Sequence, residues 1–407
     1  MTMASYKMTN YYLSLFSFIP FLLCFCCSTY QERQLVAELY PNSTNVEIVH
    51  VRAVGSNDTL HYVWCFRSKP TVLLALTSHA SNLSVLWEQF PSTANSISFE
   101  PKPIYSFGVS VNQLYEFNDV NDTGLLDMNN SSESYIHTID MPDTWEMKDI
   151  EQNLDFVRLV MEGSWKNNES FVKQGTIRIE LETYREQGHG SDLPHLMHST
   201  NATQLEFSMR NMITNSSFKQ SRFASELILA ANESAKSSVF PTAYKSFDDE
   251  HTPGVFTLVD LQTTASREQN KGGYMQWRPV AYVADERDIV NSTETAFYDI
   301  KNITNTSSKC DGTLLAAYFG DNLSKNLLNA LNISFGAKDD GFYAQNNMSI
   351  WTITIGYGHP PDENFSLFLI LIMSFGLGLP TVIIMISGLY IALRRITYRK
   401  DDLFLSE

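Results

Sequence analysis

Cysteine is scarce in this chain. There are five in 407 residues, and Cys24, Cys26 and Cys27 sit together in an apolar N-terminal run. Only Cys65 and Cys310 lie beyond that run, so at most one intramolecular bridge is available. On the chain-entropy view a bridge across so long a loop contributes about 2–4 kcal/mol; two buried, unpaired thiols are the alternative. Basic residues are also few, with 29 Lys and Arg against 45 Asp and Glu and a formal net charge of -16. Phosphate binding needs a basic surface, which excludes nucleic acid as a partner. The acidic balance fits plain solubility, and it also fits service in an acidic lumen where carboxylates are partly neutralised. Helical periodicity is sparse. No Gly-x-Ser-x-Gly elbow, P-loop, dinucleotide fingerprint or zinc-protease motif is present. The sequence therefore offers no case for catalysis and no cofactor fingerprint.

What the chain does have is two long apolar runs. Tyr11 to Cys27 follows Lys7 and ends in small residues, the pattern of a secretory signal over residues 1–28 or of an uncleaved anchor. Phe365 to Leu393 carries no charge and exceeds the roughly 20 residues a bilayer crossing requires. Arg394, Arg395, Arg399 and Lys400 follow at once, which sets residues 394–407 on the cytosolic side. Pro380 should kink this span. Ser374 and Gly378 are four apart, a small-xxx-small face on which a second helix could pack.

Between the runs, Asn-x-Ser/Thr acceptors are dense: Asn42, Asn57, Asn82, Asn121, Asn129, Asn130, Asn168, Asn201, Asn215, Asn232, Asn291, Asn302, Asn305, Asn322, Asn332 and Asn347. A further one, Asn364, abuts the span too closely for sugar transfer. Chance would give about five or six at this Ser and Thr content. Sugars on loop tips block the extended segments that proteases attack, so the pattern suits a protein built to persist among proteases.

The part between signal and span reads as strands. Leu60, Tyr62, Trp64 and Phe66 alternate with His61, Val63 and Cys65, after a turn at 55–59 that bears Asn57. Ile177, Ile179 and Leu181 alternate with Arg178, Glu180 and Glu182; Trp351, Ile353 and Ile355 alternate with Thr352 and Thr354. Val72 to Leu76 is a continuous apolar run fit for a buried strand. Met275 to Val283 holds Pro279, which suits an edge or a bulge. The fold class is mainly β: luminal sandwich-type domains plus one C-terminal transmembrane helix. The spacing predicts short helices over Asp143 to Leu154 and over Asn322 to Leu331. Residues 187–203, with Gly188, Gly190 and Pro194, read as a linker between β-rich halves at 29–186 and 204–364, with the span at 365–393.

Candidate chemistry is thin. Asp122-Thr123-Gly124 looks like half an aspartic protease site, but no second triplet supplies the partner carboxylate. It reads as a surface turn. His189, His195 and His198 could bind a metal or gain charge on acidification; simple loop histidines are the plainer reading. Asp248-Asp249-Glu250-His251 defaults to a solvated turn.

Several blocks carry a resemblance. His50-Val51-Arg52-Ala53-Val54-Gly55, Thr59-Leu60-His61-Tyr62-Val63-Trp64, Gln276-Trp277-Arg278-Pro279-Val280-Ala281-Tyr282 and Asn332-Ile333-Ser334-Phe335-Gly336-Ala337 resemble the glycosylated lysosomal membrane protein family. Residues between about Pro101 and Arg222 do not match it by eye. The resemblance implies a non-enzymatic, heavily glycosylated type I protein of the lysosomal membrane. It implies an accessory subunit that shields a multi-spanning major-facilitator transporter of dipeptides from luminal proteolysis. It supplies no catalytic residue. The family's tyrosine-based tail signal is missing, since Tyr398-Arg399-Lys400-Asp401 lacks the apolar fourth residue. Asp401, Asp402, Leu403, Phe404 and Leu405 would stand in as an acidic, di-hydrophobic signal read by adaptor proteins. The family has more luminal cysteines, so its bridges do not transfer to Cys65 and Cys310. A membrane-anchored lysosomal hydrolase and a cell-surface adhesion or receptor ectodomain are the competing readings.

Overall fold

The computed structural model describes residues 32–40, 46–165, 175–248, 254–362 and 367–404. The expected signal at 1–28, the acceptors Asn42, Asn168 and Asn364, most of the Asp248–His251 turn and Leu405 lie outside the described residues.

Two antiparallel ladders make the body. The first runs β1 (Gln34–Tyr40), β2 (Ile48–Val54), β3 (Asp58–Cys65), β4 (Thr71–Ser78), β7 (Tyr105–Asn118), β15 (Ser221–Ser234) and β22 (Asn326–Phe335). β8 (Ile136–Asp140) shares an edge of β7 with β4, and β21 (Lys301–Asn302) flanks β22. The second runs β9 (Thr144–Gln152), β10 (Phe156–Ser164), β11 (Thr176–Tyr184), β14 (Ala202–Arg210), β23 (Met348–Tyr357), β18 (Gly273–Trp277), β17 (Gly254–Thr263) and β16 (Val239–Asp248). β19 (Val280–Tyr282) pairs with β23 and with β20 (Ser292–Phe297), and β20 also pairs with β22. That shared strand joins the ladders into one 19-stranded sheet, nearly closed on itself. Two small hairpins stand apart: β5 (Asn82–Val85) with β6 (Ile97–Glu100), and β12 (Gly188–His189) with β13 (Met197–His198).

The inward faces of both ladders share one core. Val51, Tyr62, Leu74, Val109 and Leu229 come from the first, and Leu159, Ile179, Phe207, Leu261 and Ile353 from the second. The other face of the first ladder is buried as well. Ile48, Val63, Cys65, Leu73, Ile228 and Leu328 lie under Leu314, Leu315 and Leu323 of a helical cap and under Ile97 and Phe99 of the β5–β6 hairpin. A strand buried on both faces needs no polar alternation, which is why residues 72–76 are apolar throughout.

Both predicted short helices are strands instead. Residues 144–152 form β9, an edge strand on β10. The ladder slips there: Met147 opposes Met161 while Asp149 opposes Val160, so one extra residue is accommodated. This bulge changes the spacing of Trp145, Met147 and Ile150 from two to three and mimics a helical stripe. Residues 326–335 form β22, after a 3-10 turn at Gly320–Lys325. Leu323, Leu327 and Leu331 are four apart, and four is also two strand periods, so the pattern could not tell the two apart. The segment expected as a linker, 187–203, connects β11 to β14, which pair along their whole length. It is an arm within one sheet, and the core runs continuously across it.

The C-terminal apolar stretch is helical: Leu367–Met373, a π-helical turn at Ser374–Gly378, then Leu379–Phe404. Leu369–Arg395 is long and apolar enough to cross a membrane. The π turn lies just before Pro380, whose missing N–H and ring disturb the preceding turn. Ser374 and Gly378 bracket that turn, so they do not lie on a regular α-helical face.

Two glycines set the layer spacing. Gly273 faces the ring of Phe107 from the opposite ladder, and Gly108, one residue along the same strand, faces Leu315 of the cap. A Cβ at either position collides with its neighbour. Gly273→Ala and Gly108→Ala should each lower stability by about 1–3 kcal/mol, read as a fall in the thermal midpoint of the full chain. An unchanged midpoint for both would mean that the layers are not in close contact.

Candidate functional site

The acceptors distribute unevenly. Asn57, Asn82, Asn121, Asn129, Asn130, Asn232, Asn302, Asn305, Asn322 and Asn347 are exposed, on turns, hairpin ends and the helical cap. Asn201, Asn215 and Asn291 are half-buried. Asn332 differs from all of them. It is 8% exposed, in the middle of β22 opposite Glu226, where a bulky sugar has no room.

Asp122-Thr123-Gly124 serves an arginine. The Arg222 guanidinium is buried, with Asp119 at 2.9 Å, Asp122 at 2.5 Å and Asp340 at 2.8 Å. Its Nη2 also donates to the Ala337 carbonyl, and the ring of Phe342 lies 4.9 Å away. Asp119 in turn accepts from Thr123 and from the Gly124 amide. This is a clamp holding two loops, with its three carboxylates all turned to the guanidinium.

The opening hairpin carries a buried imidazole pair. His50 and His61 stack at 5.1 Å and share a 2.8 Å hydrogen bond, and His61 reaches Thr77 at 2.8 Å. Burial lowers both rings to about 3, so they stay neutral in a mildly acidic lumen. His198 stacks on Tyr184 at 3.5 Å and burial lowers it to about 4, which counts against the alternative of charge gain on acidification at this one of the three histidines. His195 shares a hydrogen bond with the Gly190 carbonyl. Among the described residues, no group of three or more His, Cys, Asp or Glu is placed to hold a metal ion. Cys65 and Cys310 are unbonded, buried in the same apolar cluster, and burial pushes each thiol up to about 12.

The outer face of the second ladder holds what the sequence did not reveal. Register places Glu151, Arg158, Glu182, Gln204, Thr354, Gln276, Asp260 and Thr242 in one polar row across eight strands. The row is covered at both ends. Toward β10 and β11 the 187–203 arm lies over it: Gln204 Nε2 donates to the Leu196 carbonyl and Arg287 Nη1 to the Leu193 carbonyl. A cleft of about 260 Å³ remains beneath, lined by Phe156, Arg158, Glu180, Glu182, Glu206, Arg287 and Thr352 among others. Toward β17 the last residues before the apolar helix lie over the row. Gln276 Nε2 donates to Asp260 Oδ1 at 2.9 Å and to the Pro361 carbonyl at 3.1 Å. Ser266 Oγ donates to the Gly358 carbonyl, and the Tyr357 amide to Asn201. The body therefore grips the stem that leads to the span.

This assembly defines a class: a β-built body strapped by its final strand to a single apolar helix of membrane-crossing length. The family model for glycosylated lysosomal membrane protein matches residues 47–398. The chain is 31% identical to glycosylated lysosomal membrane protein A of Xenopus laevis over 90% of this chain and 92% of that one. It is 29% identical to the Danio rerio protein of that name over 86% of this chain and 85% of that one. It is 26% identical to the Homo sapiens protein over 90% and 89%. The chain belongs to the glycosylated lysosomal membrane protein family.

Asp260 gives a testable pH signature. Burial raises its carboxyl from 3.8 to about 6, with Gln276, Tyr244 and His359 lowering it and Asp362 raising it. A raised folded value means that stability from this group is full below the unfolded value and is lost as pH rises through the folded one. Asp260→Asn should therefore stabilise the full chain at neutral pH by up to about 3 kcal/mol, with the gain vanishing toward pH 4. Thermal melts across that range check it; an equal gain at both ends would remove the assignment.

Proposed function

We propose that this chain is a non-enzymatic accessory subunit of a multi-spanning transporter in the lysosomal membrane, and that it protects that partner from luminal proteolysis. Family membership supports the compartment and the membrane. The spread of exposed acceptors over turns, hairpin ends and the helical cap carries the shielding reading. Sugars there cover the segments a protease would need to extend. The bulk lies in the lumen and the tail in the cytosol, following the basic residues after the span. The exposed acceptors named above carry the glycans, whereas Asn332 stays bare. The single span packs against the transporter. Sorting uses Asp401, Asp402, Leu403, Phe404 and Leu405, or the partner's own signal. The carboxylates and imidazoles described so far are spent on clamps, stacks and ion pairs, in keeping with a structural role.

Purification of the full chain from lysosomal membranes in mild detergent should recover a multi-spanning transporter of the major-facilitator class. Recovery of the chain alone, under conditions that keep other lysosomal complexes together, overturns the partnership. Replacing Asn57, Asn82, Asn302 and Asn305 by Gln should shorten the lysosomal half-life of the chain. A half-life equal to wild type would overturn the shielding.

A further inference from the structure

The roofed cleft on the second ladder has no part in the reading above, and its lining is unusual. Glu180 and Glu206 are directly opposed across β11 and β14, an arrangement of like charges that a sheet tolerates only when cations intervene. They do intervene. Arg158 and Arg178 bind Glu180, and Arg287 Nη2 donates to Glu206. Tyr184 donates to Glu182. Glu180 and Glu206 are thus paired, Glu182 meets Tyr184 and, at 3.6 Å, Arg158, and the remaining lining acids, Glu151 and Asp192, are exposed. A second lobe continues the cleft, sharing Arg158, Glu180, Asp192, Glu206 and Arg287.

The lining is acid-rich, with five carboxylates against two paired guanidiniums, so it repels an anion, and it has too few apolar groups to hold a greasy ligand. What it has left is hydrogen-bonding capacity. Thr352 Oγ1 and Arg178 Nε are buried and have no partner. Carboxylate acceptors and guanidinium donors alternate beside them. A hydroxyl group both donates and accepts, so a ring carrying several of them matches this lattice. The main lobe, at about 260 Å³, has room for one ring. Phe156 offers an apolar face for the C–H side of such a ring. Two acceptors lie close in sequence to lining residues: Asn201, three residues before Gln204, and Asn291, four residues after Arg287.

We propose that this cleft binds one neutral, hydroxyl-rich sugar ring of hexose or N-acetylhexosamine type. The ring is either the end of a glycan carried by this chain or a sugar from a neighbouring glycoprotein. The arm at 187–203 is then the lid of a binding site, held down by Gln204 and Arg287, and the Glu–Arg lattice beneath it is the recognition surface.

The test uses the full chain in lipid nanodiscs, with its N-glycans intact or removed by an N-glycosidase. Saturation-transfer NMR is run with glucose, galactose, mannose and N-acetylglucosamine. Transfer to a sugar only after glycan removal identifies the chain's own glycan as occupant. Transfer in both states identifies an outside sugar. Thr352→Val removes one unpartnered hydroxyl and should weaken the signal about fivefold or more. Ser191→Trp, on the exposed arm and away from the core, should abolish it by filling the mouth. No transfer in either glycan state overturns the proposal, as does a signal that both variants leave intact.

Discussion

Phe107 and Gly108 are neighbours on β7 of the first ladder, and they point to opposite sides of it. Phe107 presses on Gly273 of the facing ladder; Gly108 receives Leu315 of the cap. The middle layer must therefore be covered twice, and the rest of the architecture follows. A sheet with two buried faces cannot end in solvent, so the chain supplies a second ladder below and a helical cap with a small hairpin above. Trp277, Trp351 and Phe335 meet edge to face between the ladders. These contacts depend on the spacing that the glycines permit.

Burying charged and imidazole groups inside such a stack is costly, and two of them are met by dedicated partners. Arg222 is ringed by three aspartates and a carbonyl. His50 and His61 satisfy one another and Thr77. Arg222 lies about a hundred residues from the aspartates on either side of it, and so its clamp was not visible as a motif. The triplet at 122–124 was legible only as letters. Its use became clear once Arg222, a hundred residues away, was seen to need it.

Much of the fold was legible all the same. The alternation in residues 60–66, 176–183 and 351–355 corresponds to β3, β11 and β23, and the unbroken run at 72–76 to a strand covered on both faces. Pro279 falls between β18 and β19, where the strand breaks. The misreadings have local causes: one bulge in β9, and one leucine spacing in β22 that suits both periods. The polar faces were read correctly as polar. That part of one such face is roofed and forms a cleft depends on where the arm at 187–203 folds back, which periodicity does not encode. The stem contacts had a partial signal, since Gln276 and Trp277 belong to the most recognisable family block. One points to the polar row and the other to the core.

The titratable groups of the body pull in opposite directions as pH falls. The buried imidazoles of His50, His61 and His198 lie below their unfolded value, so their contribution is present above about 6.5 and erodes as acid is added. Asp260, Glu116, Glu182 and Glu206 are raised by burial, and their contribution grows as acid is added. With folded values of about 3 to 4, the histidines' loss accrues steadily from about 6.5 downward, although the folded rings themselves charge only at strongly acidic pH. The carboxyls relax as acid is added, since protons remove the cost of keeping an anion out of water. Three of those four carboxyls, Asp260, Glu182 and Glu206, lie on the outer polar face that holds both the stem and the cleft. Acidification therefore relieves strain on that face, beside the membrane anchor, while the hairpin imidazoles remain neutral inside the stack at a growing cost.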